Sequence, residues 1–296
     1  MCRAKLDKDC CALAECYGAL LFCSTFSSSE IRISTSTPEF VSRLINSFRR
    51  AFRISFDSLP GPEAKGRLNL RINDSAKIAA VFDKFGISSR YSLSHHINLA
   101  VLEEDISKPA FLRGAFLSGG TVNDPEKSFH LEFSTSHRSV SREAYSILSD
   151  LGFSPKISER NNNSLLYFKQ ADSIADLLTT LGAPASAMKV MTAKVEKEMR
   201  NKITRRVNCD TANADKIVSS SQEQIDAIHR YAAKFGLDSL PETLKDTALL
   251  RITNPEASLA DLSVLSIPKV SKSCLSHRFK KIGELADRNI ENSEDQ

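Results

Sequence analysis

Two apolar stretches, each centred on a glycine, constrain this chain more than any other feature. Phe111-Leu-Arg-Gly-Ala-Phe-Leu-Ser-Gly-Gly120 sets Gly114 one helical turn from Phe111 and Leu117, and Ala14-Glu-Cys-Tyr-Gly-Ala-Leu-Leu-Phe-Cys23 repeats the character around Gly18. A helix that bares its backbone at a glycine can lie close against another helix, so the pair predicts helix-to-helix packing of like elements. Gly18 and Gly114 are 96 residues apart, and so are Gly86 and Gly182. A period of that length predicts a duplicated α+β unit, not a solenoid.

The order helix, strand, helix, strand, strand, helix is expected twice. In the first half a buried helix over 10–23 leads to an alternating strand at Ile31-Arg-Ile-Ser. Thr37 and Pro38 open a helix carrying Phe40, Leu44, Phe48 and Phe52. Ile54 and Phe56, then Leu68, Leu70 and Ile72, predict a hairpin across Pro60-Gly61-Pro62. Asp74-Ser75 caps a helix that Gly86 ends. In the second half Pro109 opens a helix, and Phe129, Leu131 and Phe133 make a strand. A helix over 138–151 ends at Gly152, a hairpin turns at Asn161-Asn-Asn163, and a helix over 171–181 stops at Gly182. Residues 87–108 join the halves, and His95-His96 within them is read as structural, since neighbours in a strand face opposite ways.

The net charge of +4 is too small to recruit an acidic partner by itself, so such a partner needs a local basic patch. Five of the seven cysteines crowd the first helix region, with no Cys-x-x-Cys pair. That arrangement predicts reduced, buried thiols and neither a disulfide framework nor a zinc site. Arg3, Lys5 and Lys8 before an apolar run imitate a signal peptide, but Asp7, Asp9 and Glu15 interrupt it. No stretch approaches a membrane span, and a cytoplasmic protein is expected.

Residues 186–206 read as a Lys/Arg-rich helix, either a solvated linker or a phosphate-facing one. Residues 208–216 read as a polar turn and boundary. Four short helices follow, over 222–235, 241–252, 258–265 and 272–288, and then an acidic tail from Glu291. Two of them have helix-turn-helix spacing. Ser258 caps a short helix with Leu259, Leu262 and Leu265 inward; Ile267-Pro268 and Val270 turn; Ser271 caps a second helix with Leu275, Phe279 and Ile282 inward. The other face offers Lys272, Ser273, Ser276, His277 and Lys280, suited to base edges and phosphates. Lys269, Lys272, Arg278, Lys280, Lys281 and Arg288 outnumber Glu284 and Asp287 there. A plain helical bundle with a solvated basic face would show the same pattern, and DNA binding is the preferred reading. No Walker loop and no His-Glu-x-x-His occurs, and no catalytic residue, metal or cofactor is expected.

The glycine-centred helices resemble the LAGLIDADG motif of homing endonucleases, with Leu112–Gly120 similar over the whole nonapeptide. In that family each motif helix ends in an acid that holds the catalytic divalent metal. The register sets Cys23 and Gly119 at those places, and neither supplies a hard oxygen ligand. The resemblance therefore implies the fold without the nuclease chemistry; Asp124 is the nearest substitute acid. Together with 205–213 and Lys216, and with 271–278, Lys281 and Ile282, the whole chain resembles the WhiA family of bacterial regulators. That resemblance implies a non-catalytic LAGLIDADG-like domain in two halves (1–106 and 107–190). It also implies a basic linker and boundary (191–221) and a helix-turn-helix domain (222–296). The expected function is sequence-specific regulation on double-stranded DNA, at the nucleoid, in cell division, chromosome segregation or sporulation. Expected DNA contacts are Ser258, Lys269, Ser271, Lys272, Ser273, Ser276, His277, Arg278, Lys280, Lys281, Arg205, Arg206 and Lys216. A sigma factor or RNA polymerase is a further candidate partner; no membrane and no small-molecule substrate is expected. The alternatives are an active LAGLIDADG endonuclease and an adaptor for a sigma factor or division protein.

Overall fold

The computed structural model describes residues 1–6, 8–61, 64, 66–87 and 95–287. Asp7, Pro62 of the expected turn, Arg288 and the tail from Glu291 lie outside them, as do residues 88–94 of the joining segment. The chain divides into two compact units, Met1–Glu198 and Met199–Gln296.

The first unit holds two halves of similar order. The first runs α1 (Asp9–Leu21), β1 (Thr25–Phe26), β2 (Ile31–Thr35), α2 (Pro38–Phe52), β3 (Leu68–Ile72) and α3 (Ser75–Lys84). The second runs α4 (Ser107–Gly119), β4 (Gly120–Val122), β5 (Leu131–Thr135), α5 (Arg138–Asp150), β6 (Lys156–Arg160), β7 (Asn163–Phe168) and α6 (Ala171–Thr180). The described strands form two antiparallel sheets, β1-β2-β3 and β4-β5-β7-β6. Alternation sets the inward faces: Ile31, Ile33, Leu70 and Ile72 in one sheet, Leu131 and Phe133 in the other, all buried. Phe40, Leu44 and Phe48 of α2, and Val140, Ala144 and Ile147 of α5, cover them at helical spacing.

The two glycine-centred helices pack on each other reciprocally. A methyl group built on Gly18 would fall on the Phe111 carbonyl and stand 2.8 Å from the Ala115 nitrogen. One built on Gly114 would fall on the Glu15 carbonyl and stand 2.9 Å from the Ala19 nitrogen. Glycine is required at both because backbone meets backbone there.

Several expectations change in detail. Each half has a short strand, β1 or β4, directly after its glycine-centred helix, too brief to show alternation. The first-half hairpin does not form as expected. β3 pairs with β2, and the 54–58 stretch contributes only a single bridge, Ser58 to Arg71. The reason lies at Asp57, whose carboxylate accepts from the Asn73 and Asp74 nitrogens at 2.8 and 2.9 Å, where a ladder would need main-chain partners. Thr37 stands at the N-cap of α2 without a side-chain bond, whereas Asp74 caps α3 through the Ala76 and Lys77 nitrogens. His95 and His96 lie in no strand. His95 Nε2 meets the Phe26 carbonyl at 2.8 Å and its ring stacks on Phe26, a packing role, whereas His96 is exposed and meets Glu143 through Nδ1 at 2.7 Å.

α7 (Pro184–Phe235) is 52 residues long. The turn expected at 208–216 is helix, and the helix expected over 222–235 is its last part. Polar residues there cost at most about 0.7 kcal/mol each against alanine, and neither glycine nor a second proline interrupts the run before Gly236. Residues 199–220 are all exposed. The second unit adds α8 (Glu242–Thr253), α9 (Leu259–Leu265) and α10 (Lys272–Asp287) around Ile228, Leu244, Ala248, Leu262, Leu275 and Phe279.

Candidate nucleic-acid interface

The α9-turn-α10 segment is held by its own side chains. Ser258 caps α9 in a capping box with Asp261, whose carboxyl is held below the usual range by the Ser258 hydroxyl and N–H. Ser266 Oγ accepts from the Val270 nitrogen at 2.8 Å and Ser263 Oγ donates to the Val270 carbonyl at 2.6 Å, which closes the turn. Ser271 Oγ accepts from the Cys274 nitrogen at 3.3 Å and caps α10. Leu262 is buried, as expected, but Leu265 is 50% exposed because α9 ends beside the turn.

Arg251 anchors this arrangement and was not singled out from sequence. It is 2% exposed. Its guanidinium donates to the carbonyls of Asn254 and Ala257 at 3.3 and 2.6 Å and to Gln224 of α7 at 3.0 Å, over the Phe279 ring. The available signal was a lone charge inside Leu249-Leu250-Arg251-Ile252.

α10 buries Leu275, Phe279 and Ile282 and turns Ser273, Ser276, His277 and Lys280 outward. Lys281 flanks that stripe, and Lys269 is exposed on the turn. Arg278 differs from its neighbours: it is half-buried and donates to Thr243 and Thr247 of α8 at 3.3 and 3.2 Å. Lys272, Ser258 and Lys216 of α7 line one cavity of about 350 Å³. Along α7, Lys202, Arg205, Arg206 and Lys216 are all exposed, and Lys202 stands one turn from both Arg205 and Arg206. The exposed helix thus continues the basic surface that ends at Lys272.

The ends of α1 and α4 differ from this basic face. A Cβ on Gly119 would stand 2.5 Å from the Ser134 carbonyl and 2.8 Å from the Phe22 carbonyl, so nothing larger than hydrogen fits. Cys23 Sγ donates to the Thr25 carbonyl at 3.1 Å, and burial pushes its thiol up to about 12. Asp124 accepts from the Glu126 nitrogen at 3.1 Å within its own turn. Among the described residues no group of three His, Cys, Asp or Glu side chains stands close enough to hold a metal ion.

The chain is 33% identical to the probable cell division protein WhiA of Ruminiclostridium cellulolyticum, over 99% of this chain and 96% of the relative. The chain belongs to the WhiA family. The WhiA relative in Staphylococcus haemolyticus is also 33% identical, over 87% of this chain and 83% of its own. The model of the WhiA LAGLIDADG-like domain matches residues 108–200, and that of the WhiA C-terminal HTH domain matches residues 203–286. In fold the chain is similar to full-length DUF199/WhiA from Thermatoga maritima. The TM-score is 0.56 at 23% identity, covering 97% of this chain and 95% of the other. The chain has the WhiA architecture, a LAGLIDADG-like domain followed by a helical HTH region. No described helix is long and apolar enough to cross a membrane.

Proposed function

We propose that this WhiA-family chain is a sequence-specific DNA-binding regulator of cell division, chromosome segregation or sporulation, acting on the nucleoid and without nuclease activity. The observation that carries it is the outward stripe of α10, Ser273, Ser276, His277 and Lys280, held rigid by the α9-α10 turn. The names of the relatives, probable cell division proteins, supply the process. Ser273, Ser276 and His277 face base edges; Lys269, Lys280 and Lys281 face phosphates. Lys216 and Lys272 share a cavity with the Ser258 cap, and Arg205 continues that contact along α7. Arg206, one turn from Lys202, contacts the backbone beside Arg205. Ser258 and Ser271 act as caps that place these side chains. Arg278 serves chiefly to brace α10 on α8, since its Nη1 is already engaged there. In this reading residues 1–106 and 107–190 are a scaffold and 222–296 reads DNA, with the basic helix of 191–221 between them. A sigma factor or RNA polymerase is the protein partner such a regulator calls for, and a pull-down with the full chain tests it.

Replacing Lys280 and Lys281 together by alanine is expected to weaken binding to every sequence. The slope of log K against log salt should fall by roughly 2, one unit per phosphate contact. Ser276→Ala should alter sequence preference by about 1–3 kcal/mol at one base pair and leave general affinity nearly intact. An unchanged salt slope in the double lysine variant overturns the placement. The absence of catalysis is tested with supercoiled plasmid and magnesium or manganese. Cleavage that Asp124→Asn abolishes would refute it.

A further inference from the structure

The outward face of the first sheet carries a second basic feature, independent of the helix-turn-helix. With Ile31, Ile33, Leu68, Leu70 and Ile72 inward, alternation turns Arg32, Ser34, Asn69 and Arg71 outward. The register sets Arg32 directly opposite Arg71 and Ser34 opposite Asn69. Arg67 precedes β3 in the same outward phase, and all five residues, with Ser24, line a cavity of about 280 Å³.

Like charges directly opposed across two strands are unfavourable, so this pairing needs a counter-charge. The protein supplies little of one. Arg32 Nη2 donates to the neutral Thr25 hydroxyl at 2.9 Å. Arg71 has Glu30 at 3.9 Å and remains 44% exposed. Asp57, beside the same strand, is occupied by Lys77 and by the Asn73 and Asp74 nitrogens. Among the described residues no carboxylate is within ion-pair distance of Arg32 or Arg67. Ser34 Oγ donates to Asn69 Oδ1 at 2.7 Å, which leaves the Asn69 NH₂ group as a donor.

We propose that this cavity binds a small phosphate-bearing anion, a diphosphate group such as that of pyrophosphate or a nucleoside diphosphate. Guanidinium forks match phosphate oxygens two at a time, and three of them on one concave wall suit two linked phosphates. Phosphate can arrive as a free anion or on a nucleic-acid backbone. The small volume fits the free anion, since a duplex spreads its phosphates over a wider area.

The test uses the full-length protein in calorimetric titrations with pyrophosphate, with ADP and with a duplex oligonucleotide. Wild type is compared with Arg71→Gln, Arg67→Gln and, as a control in the other half, the exposed Arg138→Gln. Pyrophosphate and ADP should bind wild type and Arg138→Gln equally. Each cavity variant should bind about tenfold more weakly or worse, the loss of one charge-assisted hydrogen bond. Unfolding midpoints establish that the variants are folded, and Arg67→Gln, which lies outside any strand, carries the test if Arg71→Gln is not. Three results overturn the proposal: no binding of either anion at millimolar concentration, equal binding by cavity variants and wild type, or a loss confined to duplex DNA.

Discussion

Glu15 is 3% exposed and lies in α1, between two arginines from other helices. Arg43 of α2 reaches it at 2.8 Å and Arg113 of α4 at 3.1 Å. The same guanidiniums hold the carbonyls of Cys2, Ala4 and Leu181, so one carboxylate ties the N-terminal segment, both halves and the end of α6. Removing a partner from a buried ion network leaves uncompensated charge. Glu15→Ala should therefore cost about 3–5 kcal/mol in urea unfolding of the first unit. A cost below about 1 kcal/mol would show that the network carries no such role. Replacing all three members by apolar residues should recover part of the loss, because desolvation is then avoided.

At the scale of elements, the N-terminus of α3 depends on one side chain of the preceding loop. The Lys77 ammonium, then the Asp74 and Asn73 nitrogens, hold the Asp57 carboxyl down at about 2. Its folded-state pKa lies below the unfolded value, so its contribution is complete above about pH 4 and is lost as pH falls toward 2. Asp57 is a quarter exposed, and screening limits the effect to about 1 kcal/mol. Asp57→Asn should flatten the acid limb of the stability curve in that window and lower stability at neutral pH; an unchanged acid limb would contradict this. The same aspartate explains why part of this half was not legible in the sequence. The alternation of Ile54 and Phe56 has strand character, but the carboxylate of the next residue, Asp57, binds backbone nitrogens and ends the ladder. Helices and their stops were legible because glycines at positive φ and proline at N1 act locally: Gly86, Gly152 and Gly182 all have left-handed φ, and Asn161 and Asn162 turn the hairpin as expected. The length of α7 is hidden in the sequence for the opposite reason, since Asn, Asp and Thr weaken a helix without stopping one. In the candidate site, the outward residues of α10 followed from periodicity. The bonds of Arg278 to α8 and the contact network of Arg251 depend on elements distant in sequence, which spacing cannot show.

At the scale of the whole molecule, the two units have separate cores. Phe279 belongs to the second. Phe279→Ala should cost about 3–5 kcal/mol and accelerate hydrogen exchange in α8–α10 while leaving α1 and α4 protected. Equal loss in both units would show that they unfold together. The first unit packs two like helices through glycines that admit no side chain. With β5 and Phe22 closed around Gly119, a carboxylate placed there would first have to displace the Ser134 carbonyl. The close fit of that glycine works as a lock: the sheet rests against bare backbone, so an acid at position 119 takes a shift of the sheet as well as a change of residue.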